Sequence, residues 1–313
     1  MKNRLKIFSW QRLSEIKDSP ILILGSREIS PERIVQLSSQ LLKNTDKTIV
    51  WGVFTEKFIK GLENSPQFRA LTIKKLKNSL EQTDNTRVSI LEYSQANAST
   101  IISKHNWSAI IGINGSWHRA FHYRDEYQVI KKLRIPLKFA SAFANEREAL
   151  VYESNIIAER PKLSANYGES CNENTLFKLV NEISRYSFDN TWQTGAILAK
   201  NGEFLLATYN KVVPFETYAL LYGASKEKHK TPPQDLNHYD TNHAEVEMVL
   251  EAAKKNISLK NCSLYINLMP CPICARMLAQ TEIKEIVYKD SHSSNYATTI
   301  LEKAGKTIRQ FKS

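Results

Sequence analysis

Along the first half of the chain, short apolar runs alternate with stretches of helical spacing. Residues 20–25 (PILILG), 47–54 (KTIVWGVF), 87–91 (RVSIL), 108–113 (SAIIGI) and 134–139 (RIPLKF) each read as a buried strand. Residues 31–42 space their apolar side chains as a helix does, with Ser30 as its cap and Pro31 at its first position. Residues 68–82 carry a second helical pattern. Strands alternating with helices predict a Rossmann-like α/β domain with a mainly parallel sheet, spanning residues 1–165. In the second half, residues 244–255 (AEVEMVLEAAKK) predict a helix with an apolar stripe of Val246, Val249, Leu250 and Ala253. Residues 263–268 (SLYINL) predict a strand and residues 274–279 (CARMLA) another helix. These fall in a second expected domain, residues 166–313, and a chain of 313 residues has room for about two domains.

The helix–strand–helix stretch carries the chemistry. His243-Ala244-Glu245 opens its first helix, and Pro270-Cys271-Pro272-Ile273-Cys274 joins the strand to the second. Two cysteines separated by two residues can hold one metal from a single turn, and an imidazole adds a third ligand of the kind zinc prefers. His243, Cys271 and Cys274 leave a fourth position open, as a catalytic zinc site does. Zinc there would bring the pKa of a bound water towards ~7. Glu245 stands outside the ligand set and is placed to move protons from that water to a ring nitrogen and a leaving amine. This is the H-x-E…P-C-x-x-C arrangement of zinc-dependent nucleobase deaminases. Helix N-termini on both sides favour thiolates and a bound hydroxide. A C-x-x-C pair alone also serves redox chemistry or half of a structural zinc site, but neither of those needs the His-x-Glu. Cys262, before an apolar strand, reads as a small buried hydrophobe. Cys171, within the polar GESCNEN, reads as a loop thiol.

Around the motif the resemblance narrows. TGAILAKNGEFLLATYN (194–210), NHAE (242–245), NCSLYINLMPCPICARML (261–278), IKEIVY (283–288) and the tail SSNYATTILEKAGKTIRQF (293–311) resemble the deoxycytidylate (dCMP) deaminase family. The resemblance covers residues 188–311. It implies a cytidine-deaminase-like three-layer α/β/α sandwich with a mixed sheet. It implies Zn2+ on His243, Cys271 and Cys274, Glu245 as proton shuttle, and a pyrimidine nucleotide as substrate. Asn210 falls where the family places an asparagine against the substrate's sugar, and backbone groups near Ala244 and the 268–270 turn would orient the base. The chain departs from the family at Glu247, where an asparagine is usual, and its insert between Asn210 and His243 contains no cysteine, whereas some relatives bind a second zinc there. His229, His238, Asp235 and Asp240 of that insert read as a solvated rim rather than a second metal site. The tRNA adenosine deaminases share HAE and PCPxC but typically follow the second cysteine with Ala-Gly; here Ala275-Arg276 stands.

Charge keeps other readings open. Residues 1–165 carry 26 Lys and Arg against 16 Asp and Glu, and the remainder is nearly balanced. A basic N-terminal domain can attract a nucleotide or nucleic acid, or merely present solvated helices. It contains no GxGxxG and no GxxxxGK[ST], and matches no family by its motifs. Its most suggestive segment follows the strand 108–113: Trp117, His118, Arg119 and His122 bring together indole, imidazole and guanidinium groups suited to a phosphate or a base, or else form a structural turn. Three functions therefore stand together: hydrolysis of dCMP to dUMP, deamination of a base in a polynucleotide or tRNA held by the N-terminal domain, and a non-catalytic nucleotide sensor. No run of apolar residues is long enough to span a membrane, and no signal-peptide core opens the chain. Four cysteines, two of them expected on metal, suit a reducing cytoplasm rather than a disulfide framework. The family resemblance favours a homo-oligomer.

Overall fold

The computed structural model describes residues 5–25, 27–81, 83, 86–115, 124–189, 191–225, 240–291 and 295–312. The chain forms two compact units. One comprises Met1–Glu159 and Pro214–Asp240, the other Arg160–Val213 and Thr241–Ser313. This division differs from the two consecutive segments expected: the break falls at 159/160 rather than 165/166, and the insert Pro214–Asp240 packs with the first unit.

The first unit is built on a six-stranded sheet, all of whose pairings are parallel. Its strands are β1 (Lys6–Ser9), β2 (Ile21–Gly25), β3 (Ile49–Phe54), β4 (Val88–Tyr93), β5 (Ala109–Ile113) and β6 (Leu137–Ala140), in the order β1-β4-β3-β2-β5-β6. The helices are α1 (Pro31–Asn44), α2 (Ile73–Leu80), α3 (Ala98–Lys104), α4 (Asp125–Lys132) and α5 (Glu146–Ala158). Alternate strand positions serve opposite faces. Leu22, Leu24, Val50 and Leu91 pack with Ile101, Ile102 and Ile130 of α3 and α4. Trp51 points to the other face and its indole N–H donates to Ser38 of α1 at 3.1 Å. Ser30 caps α1 by accepting from the Arg33 N–H, as expected. Residues 68–82 are less helical than their spacing suggested. A 3-10 turn over Pro66–Phe68 is followed by α2, which begins only after Thr72 accepts from the Lys75 N–H.

The insert adds a short helix, α6 (Tyr218–Tyr222), to this unit, after α5 in space although far from it in sequence. Thr217 donates its hydroxyl to Ala149 of α5, and its backbone N–H goes to Glu153. The Ala142 N–H, just past β6, donates to Leu220 at 3.0 Å.

The second unit is a three-layer α/β/α sandwich around a mixed five-stranded sheet. Its helices are α7 (Glu173–Ser184), α8 (Ala244–Lys254), α9 (Pro272–Ala279) and α10 (Tyr296–Lys303). The strands β7 (Gly195–Lys200), β8 (Glu203–Tyr209), β11 (Ser263–Leu268), β12 (Glu285–Asp290) and β13 (Thr307–Gln310) run in the order β13-β12-β11-β7-β8. β7 is antiparallel to both neighbours; β11, β12 and β13 are mutually parallel. Ile197, Ala199, Tyr265 and Val287 meet α7 on one face. Ala196, Leu198, Leu264, Ile266 and Ile286 meet α8, α9 and α10 on the other. A two-stranded ribbon, β9 (Lys211–Val212) with β10 (Thr241–Asn242), completes this unit. Cys262 is fully buried, as expected. Cys171 is not a loop thiol in water: its backbone N–H bonds Gly202, and its side chain is buried beside Phe177 and Phe204. Among the described residues no helix is long and apolar enough to cross a membrane.

Candidate metal centre and active site

Two helix starts and one strand end build the site. β10 delivers His243 to the N-cap position of α8, with extended backbone angles (φ −69°, ψ 154°). β11 runs into Met269 and Pro270, and Cys271 then caps α9, its sulfur accepting from the Cys274 N–H at 3.5 Å. Pro272 sits at the first helical position, where its missing N–H costs nothing. Both helices belong to the same face of the sheet, so their N-termini meet.

The three candidate ligands converge. His243 Nδ1 lies 3.4 Å from Cys274 Sγ and 3.7 Å from Cys271 Sγ. One ligand atom from each of the three residues falls within 4.8 Å of the others. Bonds of about 2.0–2.3 Å to a tetrahedral zinc place ligand atoms roughly 3.5–3.8 Å apart, so the spacing and the soft donor set both fit that metal. Among the described residues no other group of His, Cys, Asp or Glu gathers in this way. The hydrogen bond between the two thiols holds the Cys271 pKa down to about 3, with His243 and the Cys274 N–H adding to the effect. The same bond, burial and the nearby Glu245 charge push Cys274 up. A thiolate is thus already favoured at Cys271, which is the form that binds metal.

Glu245 lies one residue into α8 and is 3% exposed. Burial pushes its carboxyl above the usual carboxylate range, and the neighbouring His243 opposes that rise. Ala244 is wholly buried and its carbonyl accepts the Thr208 hydroxyl at 3.0 Å, which ties the start of α8 to β8.

Asn210 is buried just past β8. Its side-chain oxygen accepts from the Thr194 N–H at 2.8 Å, and its amide donates to the Trp192 carbonyl at 2.8 Å. In this structure it therefore fixes the loop before β7. Asn267, which the sequence reading did not single out, does the same from β11: it accepts from the Gly195 N–H at 2.9 Å and donates to the Gln193 carbonyl at 2.8 Å. The one signal for it was a lone amide at the end of an apolar strand that leads into the cysteine turn. Together the two asparagines hold residues 192–195 beside the end of β11, with Trp192 exposed at the rim. Asn210→Ala is expected to cost about 1–3 kcal/mol of stability, because two backbone groups of the loop lose their partners. Urea denaturation measures this, and an unchanged midpoint would show that the loop is held by other means.

Glu247, the departure from the family pattern, is buried and accepts from the Asn242 amide at 2.8 Å, bracing the residue before His243. The N-terminal candidates Trp117, His118, Arg119 and His122 lie outside the described residues, as do His229, Asp235 and His238.

A family model described as MafB19-like deaminase matches residues 171–307. The deoxycytidylate deaminase of Enterobacteria phage T2 is 25% identical over 152 residues, covering 39% of this chain and 81% of the phage protein. The C-terminal region resembles the deaminases. The deoxycytidylate deaminase of Mus musculus is 30% identical to the chain over 120 residues, covering 35% of this chain and 66% of the mouse protein. The dCMP deaminase of cyanophage S-TIM5, solved in complex with dCMP and dUMP, is 22% identical with a TM-score of 0.37, covering 44% of this chain and 96% of that one. The family match in this deaminase-like region spans His243, Glu245, Cys271 and Cys274, the residues that the fold draws together.

Proposed function

We propose that the second unit hydrolyses the exocyclic amine of a cytosine nucleotide, converting dCMP to dUMP and ammonia. The observation that carries this is the triangle of His243, Cys271 and Cys274 with the buried Glu245 carboxyl beside it. The relatives bearing the name deoxycytidylate deaminase support the choice of substrate.

His243, Cys271 and Cys274 would hold zinc, which when bound supplies a water acidified to about pKa 7. Glu245 takes one proton from the attacking water and passes it to N3 of the ring while the new C4–O bond forms. It then takes the hydroxyl proton from the tetrahedral C4 and gives it to the amino nitrogen. The C4–N bond breaks, ammonia leaves, and the ring is left as uracil with its proton on N3. A carboxyl whose burial raises its pKa suits a group that must both accept and donate at each turnover. Thr208 keeps Glu245 in register by pinning the first carbonyl of α8. Asn210 and Asn267 shape the rim over which the nucleotide enters, and a contact from Asn210 to the sugar belongs to this proposal.

The test is product formation by mass spectrometry on zinc-loaded protein, offered dCMP, CMP, deoxycytidine, cytidine and a short cytosine-containing single strand. Conversion of dCMP ahead of the others is the expected result. Conversion of the strand alone would replace this reading with nucleic-acid editing, and binding that weakens steeply with salt would accompany it. A panel without any product would overturn the enzymatic reading.

A further inference from the structure

We propose that the outer face of α5 pairs with the same face of a second copy of this chain, helix antiparallel to helix, about a two-fold axis between Leu150 and Val151. The inference concerns the first unit alone and does not rest on the deaminase reading.

α5 is thirteen residues long, with one face taken and the other open. The inner face is occupied within the unit. Ala149 and Ile156 are buried there, the Glu153 carboxylate and the Ala149 carbonyl accept from Thr217, and the Tyr152 ring lies 5.2 Å from that of Phe143. The opposite face carries Glu146, Arg147, Leu150, Val151, Ser154 and Asn155, all of them exposed, and these six line an open groove of about 450 Å³. Leu150 is 39% exposed and Val151 55%. A surface helix ordinarily turns charged and polar groups to water along such a face, yet two branched aliphatic side chains stand at the centre of this one.

The groove is complementary to itself. Its six positions are symmetric about the point midway between 150 and 151. A two-fold axis through that point sets an antiparallel copy of α5 against this one. Leu150 then meets the second copy's Val151, Arg147 its Ser154, and Glu146 its Asn155. A closed two-fold contact demands this self-complementarity. Arg147, Leu150, Val151 and Ser154 also have the i, i+3, i+4, i+7 spacing that frames a hole for a side chain of a facing helix.

The rim pairs match in chemistry as well. The Arg147 guanidinium makes no hydrogen bond among the described residues, and the Ser154 hydroxyl, which donates to the Leu150 carbonyl at 2.9 Å, keeps its lone pairs to accept from it. The Asn155 amide is likewise unengaged among the described residues, and Glu146, which accepts the Tyr222 hydroxyl at 2.8 Å, has a second oxygen for it. Arg147 stands in the first turn of its own helix, where the dipole disfavours a cation; in the antiparallel pair it lies toward the C-terminal half of the second α5, where a cation is favoured. A parallel pair would instead oppose Arg147 to Arg147 and Glu146 to Glu146. The contact is one helix wide, so the association is weak and concentration-dependent.

Sedimentation equilibrium of the full chain tests this over roughly 1–300 μM, the range in which a contact of that size saturates. The expected result is a mass that doubles across the range in the parent and does not double in Val151→Glu, which sets a carboxylate against Leu150 on both copies. Ser154→Arg, opposed to Arg147, should weaken association by about 2- to 30-fold, and Ser154→Glu should strengthen it by a similar factor, because each rim pair occurs twice across the axis. Both positions are exposed, so the variants should melt with the parent. Opposite responses to opposite charges at one position identify the antiparallel register, which an apolar contact in any other register does not produce. A parent mass that never doubles, a doubling that survives Val151→Glu, or Ser154 variants that shift association in the same direction would overturn the proposal. Should Val151→Glu fail to fold, the two Ser154 variants decide alone. Because mass is read rather than turnover, failure here leaves the dCMP reading untouched, and the reverse also holds.

Discussion

Glutamine in place of Glu245 is expected to lower kcat for dCMP by about 10³-fold or more while leaving zinc in place. Positioned proton transfer contributes typically about 10²–10⁴ to a rate, and in the proposed mechanism one carboxyl serves both proton transfers, so the upper part of that range applies. Glutamine has the same shape but cannot shuttle a proton. Glu245 is not among the converging donor atoms of His243, Cys271 and Cys274, so metal content should remain at the parent level. Nor should the melting temperature fall, since burial already disfavours the ionised form of the carboxyl being removed. Bound zinc by mass spectrometry, single-turnover rates and a melting curve on the same sample decide the matter. Activity within tenfold of the parent in zinc-replete protein would end the shuttle assignment.

Removal of one sulfur should act differently. Cys274→Ala is expected to lose bound zinc and, with it, all measurable turnover, because two remaining ligands do not hold the metal at catalytic concentrations. Cys274 is 1% exposed and packs at the start of α9, so alanine is accommodated and the secondary structure should be retained. The informative comparison is with a chelator. Chelation should lower the melting temperature of the parent chain, since metal binding stabilises only the folded form, and should leave Cys274→Ala unmoved. One equivalent of tightly held zinc in the variant would refute the ligand assignment.

Much of the site could be read from local sequence, because local sequence builds it. His243 with Glu245, and Cys271 with Cys274, each lie within one helical turn, and β11 joins the two pairs by a strand whose apolar run is unmistakable. Strands β2 to β6 were legible for the same reason. What escaped depends on partners distant in sequence. β1 is four residues long and exists as a strand through its parallel pairing with β4, which sets Lys6 beside Ser89. Cys171 is buried by aromatic residues of α7 and β8, which its polar neighbours in sequence do not betray. Asn267 becomes meaningful only when antiparallel pairing sets the end of β11 against the start of β7.

The long insert has a practical consequence for dissecting the molecule. The backbone passes from one unit to the other at three places, near residues 159, 213 and 240, so no single cut separates them. A gene fragment beginning at Arg160 would carry 214–240 without the partners that Thr217 finds on α5 and Leu220 finds at Ala142, leaving a sticky, protease-sensitive flap. The remedy is written in the ribbon beneath it. Val212 and Thr241 are directly paired, so their chain ends already lie a strand's width apart. A tight Asn-Gly hairpin grafted across that gap would close the stump and yield a minimal fragment of the second unit, freed from its neighbour by shortening rather than by cleavage.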